Sequence, residues 1–291
     1  MPTLQYKLLA LDIDGTLLNE CKEILATNIE ALQLFQASGG HVILVSGRNP
    51  RSTLWHAELL ELKTPYVAFN GAIIGTGEHI LTSHFFSTNT VLQFLTICKE
   101  EAVYCHVYTV KAMFYDTPTR WNANWSRVNL ARIEGKPVNS LWENKVETYC
   151  PSVRVKDLRS TVYDRHLEIA KMAVLSDNPL EAIENRLKCI KGLTITSSQP
   201  GNLEIAPHGV SKGSALLQVV RMLQAEPKDI MVIGDNFNDL SMFQVAELSV
   251  AMGNAPEKVR SSAQVVTETN DHAGVAQAIR SWAFGEMDVQ A

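Results

Sequence analysis

The chain has 291 residues, 46% of them hydrophobic, which is enough to bury a large core and to divide into two domains. Its 26 basic and 31 acidic residues give a formal net charge of -5 without any basic run, so bulk charge favours neither nucleic acid nor an anionic membrane as a partner. Five widely spaced cysteines, an N-terminus without a signal-peptide pattern and no apolar stretch near the ~20 residues of a membrane span predict a cytoplasmic protein.

The N-terminal part of the chain alternates predicted strands with predicted helices. The apolar runs and the helical spacing between them predict strands over 7–13, 41–46 and 66–69, and helices over 27–40 and 50–62. Strands that are apolar on both faces and alternate with helices are typical of a parallel sheet covered on both sides. This pattern predicts a doubly wound α/β fold.

The rhythm changes after the third strand. Residues 72–86 predict a hairpin around a Gly-Thr-Gly-Glu turn, and the chain from 84 to 206 is richer in aromatic residues and mixed in period. We interpret residues 84–206 as an inserted α+β domain that includes a helix over 179–190. In it, Trp121 and Trp125 could form either a core stripe or a face that stacks on a sugar.

The parallel pattern then returns. Residues 211–223 predict a helix, residues 229–235 and 248–252 predict strands, and residues 272–284 predict a closing helix. The predicted organisation is therefore a core built from residues 1–83 and 207–291, interrupted by the insertion.

Polar residues stand at the ends of the predicted strands. Asp12 and Asp14 follow the first strand, Ser46 the second, Asn70 the third and Asp235 the strand over 229–235. Ligands of parallel sheets bind beyond the carboxyl ends of the strands. If these strands are neighbours, the five side chains converge on one edge of the sheet.

The cluster needs a cation. Asp239 lies four residues after Asp235, and carboxylates without partners would repel one another strongly. Mg²⁺ takes oxygen ligands and is usually held by one or two carboxylates together with a substrate phosphate. Lys212 lies in the first turn of a predicted helix, where the helix dipole also favours an anion. These residues together predict a magnesium-dependent phosphate site.

Paired carboxylates suit a two-step hydrolysis. One carboxylate can attack phosphorus to give an aspartyl-phosphate, which divides a difficult reaction into two easier ones. The second, with a pKa raised by its neighbours, could protonate the leaving alkoxide and then deprotonate the attacking water.

Five segments resemble the motif blocks of the haloacid dehalogenase (HAD) superfamily, in the Cof-type (subfamily IIB) branch of sugar-phosphate phosphatases. They read LDIDGTLLN, ILVSGR, FNGA, GVSKG and IGDNFNDLSM…VAMGNAPEKV, in that order, over roughly residues 7–83 and 203–280. The resemblance implies a cap domain inserted after the third strand, which supplies specificity, and a small phosphate ester as the partner.

Carried over by motif, the resemblance implies roles for individual residues. Asp12 would be the nucleophile and Asp14 the acid/base. The phosphate-binding or substrate-binding residues would be Ser46, Gly47, Arg48, Asn70, Gly71, Lys212 and Asn238. Mg²⁺ would be held by Asp12, the Asp14 backbone carbonyl and Asp235, with Asp239 supporting them.

Two positions depart from the branch. Ser46 stands where threonine is common, which keeps the hydroxyl, and His272–Ala273 replaces an acidic pair. Two alternatives to hydrolysis also stay open: phosphoryl transfer as in a sugar mutase, and a non-catalytic sensor phosphorylated on Asp12. The natural substrate and the oligomeric state are not predicted.

Overall fold

The structure is a computed structural model, and it describes residues 3–123, 125, 129–135, 148–197 and 201–285. The rest of the chain, which includes Asn124 and part of the predicted insertion, lies outside the described residues.

The first part of the chain follows the predicted order of strand and helix. Its elements are β1 (Leu8–Leu11), β2 (Glu23–Ile24), α1 (Ala26–Ala37), β3 (His41–Leu44), α2 (Pro50–Leu59), β4 (Tyr66–Ala68), β5 (Ile73–Thr76) and β6 (His79–Ser83). Helix α2 begins where expected, because the Asn49 side chain accepts from the Ser52 N–H and Pro50 occupies the first helical position.

The middle of the chain mixes short helices with strands. Its elements are α3 (Thr88–Glu100), β7 (Tyr104–Tyr108), β8 (Met113–Tyr115), α4 (Arg120–Ala123), β9 (Arg132–Ile133), β10 (Ser152–Arg154), α5 (Leu158–Asp164), β11 (Lys171–Leu175), α6 (Glu181–Leu187), β12 (Leu193–Thr196) and β13 (Asn202–Pro207).

The last part of the chain returns to strands that alternate with helices. Its elements are α7 (Lys212–Met222), β14 (Ile230–Gly234), α8 (Leu240–Phe243), β15 (Leu248–Ala251), α9 (Glu257–Arg260), β16 (Val265–Val266) and α10 (Gly274–Ala278), which runs on into a π-helical turn. Among the described residues, no helix has both the length and the apolarity that crossing a bilayer would require.

A five-stranded parallel sheet forms the centre of the fold, in the order β16-β15-β14-β1-β3. The buried strand β1 alternates its side chains between two cores: Leu9 and Leu11 join the core with α1 and α10, whereas Leu8 and Ala10 join the core with α7 and α8. Helices therefore cover both faces of the sheet. The predicted doubly wound α/β class is confirmed.

The third predicted strand departs from the prediction. β4 reaches the parallel sheet through a single bridge between Val45 and Val67, and its full ladder is antiparallel, with β5. The chain turns straight into the predicted hairpin β5–β6, so β4 takes its partner from the segment that follows it rather than from β3. β4 therefore extends the parallel sheet only weakly, at the edge formed by β3.

A second sheet of six strands, ordered β10-β8-β7-β11-β13-β12, makes the inserted α+β unit. Helices α3, α5 and α6 cover one face, where Val107, Met172 and Ile205 are buried. The opposite face of β7, β11 and β13 turns toward the parallel sheet and carries Tyr108, Lys171 and Glu204. The exact limits of this unit as a separate domain remain a prediction.

Candidate active site

Three neighbouring parallel strands bring the predicted site residues together. β14, β1 and β3 lie side by side, and Asp235, Asp12 and Ser46 follow their carboxyl ends. All three residues are buried. The convergence expected from the sequence is therefore observed, because parallel strands present their carboxyl ends at one edge.

Lys212 is buried in the middle of a carboxylate cluster. Its Nζ donates to Oδ1 of Asp12 and to Oδ1 of Asp239, both at 2.6 Å. The side chain of Lys212 is only 1% exposed. It is the first residue of α7, where the Ser211 side chain accepts from the Ser214 N–H and fixes the start of the helix.

The cluster carries more negative than positive charge. Oxygens of Asp12, Asp235 and Asp239 lie within 4.8 Å of one another. Burial raises the pKa of Asp12 to about 7; Lys212 opposes this shift and Asp239 adds to it. Burial and the charge of Asp12 also raise the pKa of Asp235 well above its ordinary value. The pKa of Lys212 is raised by its two carboxylates although burial opposes them.

The loop around Gly15 closes tightly on Asp235. Gly15 has φ +78°, and a Cβ built there would lie 2.3 Å from Asp235 Oδ2, so only glycine fits. Thr16 Oγ1 donates to Asp235 Oδ1 at 2.9 Å, a contact that the motif analysis did not assign. Asp239 Oδ2 accepts from the N–H groups of Asp235 and Asn236 at 3.0 and 2.9 Å, which holds that loop in place.

These residues fit a hard divalent cation. Buried carboxylate oxygens with an uncompensated negative charge are the donors that Mg²⁺ prefers, and a cation there would relieve the raised pKa values. The Asp14 carboxylate does not belong to this cluster, which agrees with a predicted contribution from its backbone carbonyl alone.

The pKa of Asp14 differs from the sequence-based prediction. The motif predicted that neighbouring groups raise the pKa of Asp14, but they lower it. Burial favours the neutral acid, yet Arg48 outweighs burial and Lys22 adds to the lowering of the Asp14 pKa. Arg48 donates two hydrogen bonds to the Asp14 carboxylate, from Nε to Oδ2 at 2.6 Å and from Nη2 to Oδ1 at 2.7 Å. Lys22 Nζ adds a third at 3.2 Å.

The loop after β3 brings Ser46, Gly47 and Arg48 to the same pocket. Ser46 Oγ accepts from the Arg48 N–H at 3.2 Å. A Cβ at Gly47 would lie 2.9 Å from Asn70 Oδ1 and 3.2 Å from Glu204 Oε2, so glycine permits a close approach here. All three residues line the cavity, and their binding of phosphate or substrate stays a prediction.

The turn after β4 contains Asn70 and Gly71, which have different neighbours. Asn70 has φ 55°, a left-handed conformation that asparagine tolerates. Its Oδ1 accepts from Asn238 Nδ2 at 3.0 Å, and Asn238 lines the cavity. Neither Asn70 nor Gly71 is itself a lining residue of the cavity, and substrate binding by both stays a prediction. A Cβ at Gly71 would lie 2.4 Å from the Ser211 carbonyl oxygen, so Gly71 lets the turn pack against the start of α7.

A cavity of about 410 Å³ lies between the edge of the parallel sheet and the six-stranded sheet. The core contributes the predicted residues Asp12, Asp14 and Asp235. The inserted unit contributes residues that the sequence analysis did not single out as ligands: Tyr108, Asn129, Lys171, Asn202 and Glu204. Lys171 and Glu204 could have been noticed as charged residues inside otherwise apolar strands.

The two tryptophans have different surroundings. Trp125 is buried, lines the cavity and donates from Nε1 to the Tyr108 hydroxyl at 3.2 Å. Trp121 lies outside this cavity and stacks on Tyr104, with ring centroids 5.4 Å apart. At the departure from the motif, His272 Nδ1 pairs with Thr269 Oγ1 at 2.7 Å.

A doubly wound sheet with aspartates and a buried lysine at its strand ends is typical of an α/β enzyme that acts on phosphate. A family model of haloacid dehalogenase-like hydrolases matches residues 9–279. The chain is 29% identical over 277 residues to the 5-amino-6-(5-phospho-D-ribitylamino)uracil phosphatase YcsE of Bacillus subtilis, covering 95% of both chains. It is 30% identical over 290 residues to the phosphatase YwpJ of the same organism, covering 94% of this chain and 99% of the relative.

Solved structures agree with this relationship. A haloacid dehalogenase-like hydrolase from B. subtilis superposes with a TM-score of 0.80 at 28% identity, over 94% of this chain and 99% of that one. The HAD subclass IIB sugar phosphatase BT4131 gives a TM-score of 0.76 at 24% identity, over 94% and 98%, and so shares the fold. The chain belongs to the haloacid dehalogenase-like hydrolase family, with the subclass IIB fold and the activity class of a phosphatase.

Proposed function

We propose that the protein hydrolyses small phosphomonoesters, sugar phosphates or related metabolites, through an aspartyl-phosphate on Asp12 and with Mg²⁺ as cofactor. One observation carries the proposal: Asp12 is buried at the end of β1, bonded to Lys212, and still faces the cavity. The relatives' phosphatase activity supports the reaction class, and the phosphoribityl substrate in the name of one relative agrees with a small ester.

The proposed first step transfers the phosphoryl group to Asp12. Lys212 holds Oδ1 of Asp12, which leaves Oδ2 to attack phosphorus. A bond from Oδ2 to phosphorus forms while the bond to the leaving oxygen breaks. Lys212 and Ser46 would hold the phosphoryl oxygens, and Asn70 and Asn238 would orient them through their amides.

The proposed second step returns the enzyme to its starting state. Asp14 gives its proton to the leaving alkoxide in the first step. In the second step the oxygen of a water bonds to phosphorus while the bond from Asp12 Oδ2 to phosphorus breaks, Asp14 takes a proton from that water, and phosphate leaves. In the described structure Arg48 and Lys22 keep Asp14 ionised. Asp14 therefore takes up a proton, from solvent or from the monoanionic ester, when the incoming ester weakens these contacts, and it releases a proton to solvent after phosphate has left.

The carboxylates of Asp12 and Asp235, with the Asp14 backbone carbonyl and support from Asp239, would hold Mg²⁺. When bound, Mg²⁺ lowers the repulsion between the anionic nucleophile and the anionic ester. We further propose that residues 84–206 act as the cap over a core of residues 1–83 and 207–291, because the six-stranded sheet supplies one wall of the cavity.

The test is phosphate release from a panel of sugar, polyol and nucleotide monoesters, with Mg²⁺ and with chelator. We expect metal-dependent release that Asp12→Asn reduces by at least about 1,000-fold without loss of folded structure. Comparable release by the variant would remove Asp12 from the nucleophile role. An isomerised ester without free phosphate would support transfer, and a stable phosphoprotein without turnover would support a sensor.

A further inference from the structure

A buried ion pair on the inserted unit docks onto the core. Lys171 on β11 and Glu204 on β13 lie 2.8 Å apart, Nζ to Oε1, and their side chains are 7% and 15% exposed. The Lys171 Nζ also donates to the Gly47 carbonyl at 2.8 Å. Glu204 Oε2 accepts from Asn70 Nδ2 at 2.8 Å. The pair thus contacts two of the loops that carry proposed phosphate-binding residues.

These contacts give partners to both charged groups. The ammonium group of Lys171 meets a carboxylate, a carbonyl and the face of the Tyr108 ring, whose centroid is 5.9 Å away. Each oxygen of the Glu204 carboxylate accepts a bond from a different partner. The pair therefore presents no net charge to the cavity that it lines.

The other charged side chains among the described residues of the cavity wall lie on the core. Asp14 is paired with two cations, Arg48 and Lys22, so this part of the wall carries a net positive charge. Asp12 and Asp235 lie at the cluster that contains Lys212, which is also the proposed metal site. Among these residues, compensation for a substrate's negative charge is thus found on the core, while the Lys171–Glu204 wall is neutral.

Resting on the function proposed above, we propose that Lys171 and Glu204 are specificity-determining residues that close the cavity over the core and select monoesters whose leaving portion is uncharged. A second anionic group would meet the Glu204 carboxylate and a lysine that is already neutralised. A polyol or a neutral ring would instead meet the amides and aromatic rings of the same wall, among them Tyr108, Trp125 and Asn202.

The test compares two open-chain esters that differ in one group, D-glucitol 6-phosphate and 6-phospho-D-gluconate, each as substrate and as inhibitor of p-nitrophenyl phosphate hydrolysis. We expect the wild type to favour glucitol 6-phosphate by at least about tenfold in kcat/KM or in inhibition constant. Glu204→Gln leaves the charge of Lys171 uncompensated and should narrow the preference for glucitol 6-phosphate over 6-phospho-D-gluconate. Lys171→Met leaves the charge of Glu204 uncompensated and should widen that preference. The double variant should return toward the wild-type ratio.

If the pair has a purely structural role, all variants would lose kcat/KM equally for the two esters. That result would overturn the inference. The matched control is the exposed Lys188–Glu184 pair on α6, whose Lys188→Met and Glu184→Gln variants should leave the ratio unchanged. Hydrogen exchange without substrate tests docking separately: the double variant should exchange faster in peptides that contain Gly47 and Asn70. Unchanged exchange would contradict docking, while absent phosphate release by the wild type from every ester would instead defeat the proposed function.

Discussion

The ionisation of Asp14 depends on one neighbouring side chain. Arg48 is almost fully buried, and it places two donors on a carboxylate that is 45% exposed. A bidentate contact of this kind is both strong and directional. Because Asp14 is partly exposed, an entering ester can compete with its carboxylate for the Arg48 guanidinium. The proposed acid/base group is thus held in its basic form until the substrate arrives.

We expect Asp14→Asn to slow hydrolysis in proportion to how much the leaving group needs a proton. The loss should be about 100-fold or more for an alkyl ester such as glucitol 6-phosphate, and much smaller in the first step for p-nitrophenyl phosphate. Burst kinetics with both esters would separate the two steps. An equal loss in the first step for both would contradict the acid role.

Lys212 stabilises the fold as well as the proposed transition state. Lys212→Met would leave two buried carboxylates without their cation, and breaking such a pair costs about 3–5 kcal/mol. We expect a loss of this size in the free energy of unfolding at pH 8, a smaller loss at pH 5, and weaker phosphate binding. Urea denaturation measures the first two. The exposed Lys228→Met control should leave the free energy of unfolding nearly unchanged.

At the scale of elements, the turn after β4 packs against the start of helix α7. The turn at residues 69–71 carries Asn70 and packs Gly71 against the backbone of Ser211, the residue before Lys212. Asn70 and Lys212 are therefore positioned by the same contact. A helix that moved away from this turn would separate the amide and the ammonium group that the proposed mechanism uses together.

Two glycines in turns test this contact. Gly77 has φ +52°, in the left-handed region that L residues can enter, and a Cβ there meets nothing within 4 Å. Gly71 has φ +108°, which is unfavourable for alanine in itself, and a Cβ there also meets the Ser211 carbonyl oxygen. Gly77→Ala should cost about 1 kcal/mol of unfolding free energy from its backbone conformation alone. Gly71→Ala should cost more and should also lower kcat. Equal stability losses and an unchanged kcat would show that the turn can shift without consequence.

At the scale of the whole molecule, the carboxylate cluster links stability to pH and to metal. The pKa of Asp12 is raised from 3.8 to about 7, so between these values the folded state keeps a proton that the unfolded chain has released. The contribution of Asp12 to the free energy of unfolding of the metal-free protein should therefore fall as pH rises from about 4 to about 7. Repulsion within the cluster is fully present above that range.

We expect the stability difference between wild type and Asp12→Asn to change with pH across this range, in chelator, with the wild type losing more as pH rises. The comparison cancels the pH dependence of other buried groups, including His56 and His106, whose pKa values burial lowers to about 3. Mg²⁺ at 100 times its Kd should restore about 2.7 kcal/mol to the wild type at pH 8. Asp235→Asn should weaken this effect, and Asp229→Asn, at the other end of β14, should not. Parallel pH curves for wild type and Asp12→Asn would contradict the account.

The sequence by itself determined the parallel sheet and the residues at its edge. Apolar runs that end in Asp12, Ser46 and Asp235 can be recognised locally, and parallel strands bring their carboxyl ends together whatever their order. The position of Lys212 at a helix start could likewise be predicted from the local sequence, since Ser211 is a good capping residue. The family and its reaction class follow from the same short segments.

Only the tertiary structure decided the contacts between distant segments. The bonds from Arg48 to Asp14 span 34 residues, and the bond from Lys171 to Gly47 spans 124. Whether a carboxylate ionises depends on the charges that packing places beside it, which the sequence spacing does not reveal. The same holds for β4, whose ladder depends on which neighbour reaches it, and for Gly71, whose constraint is a backbone on another element. Side chains of the inserted unit became cavity residues only because its sheet turns that face toward the core.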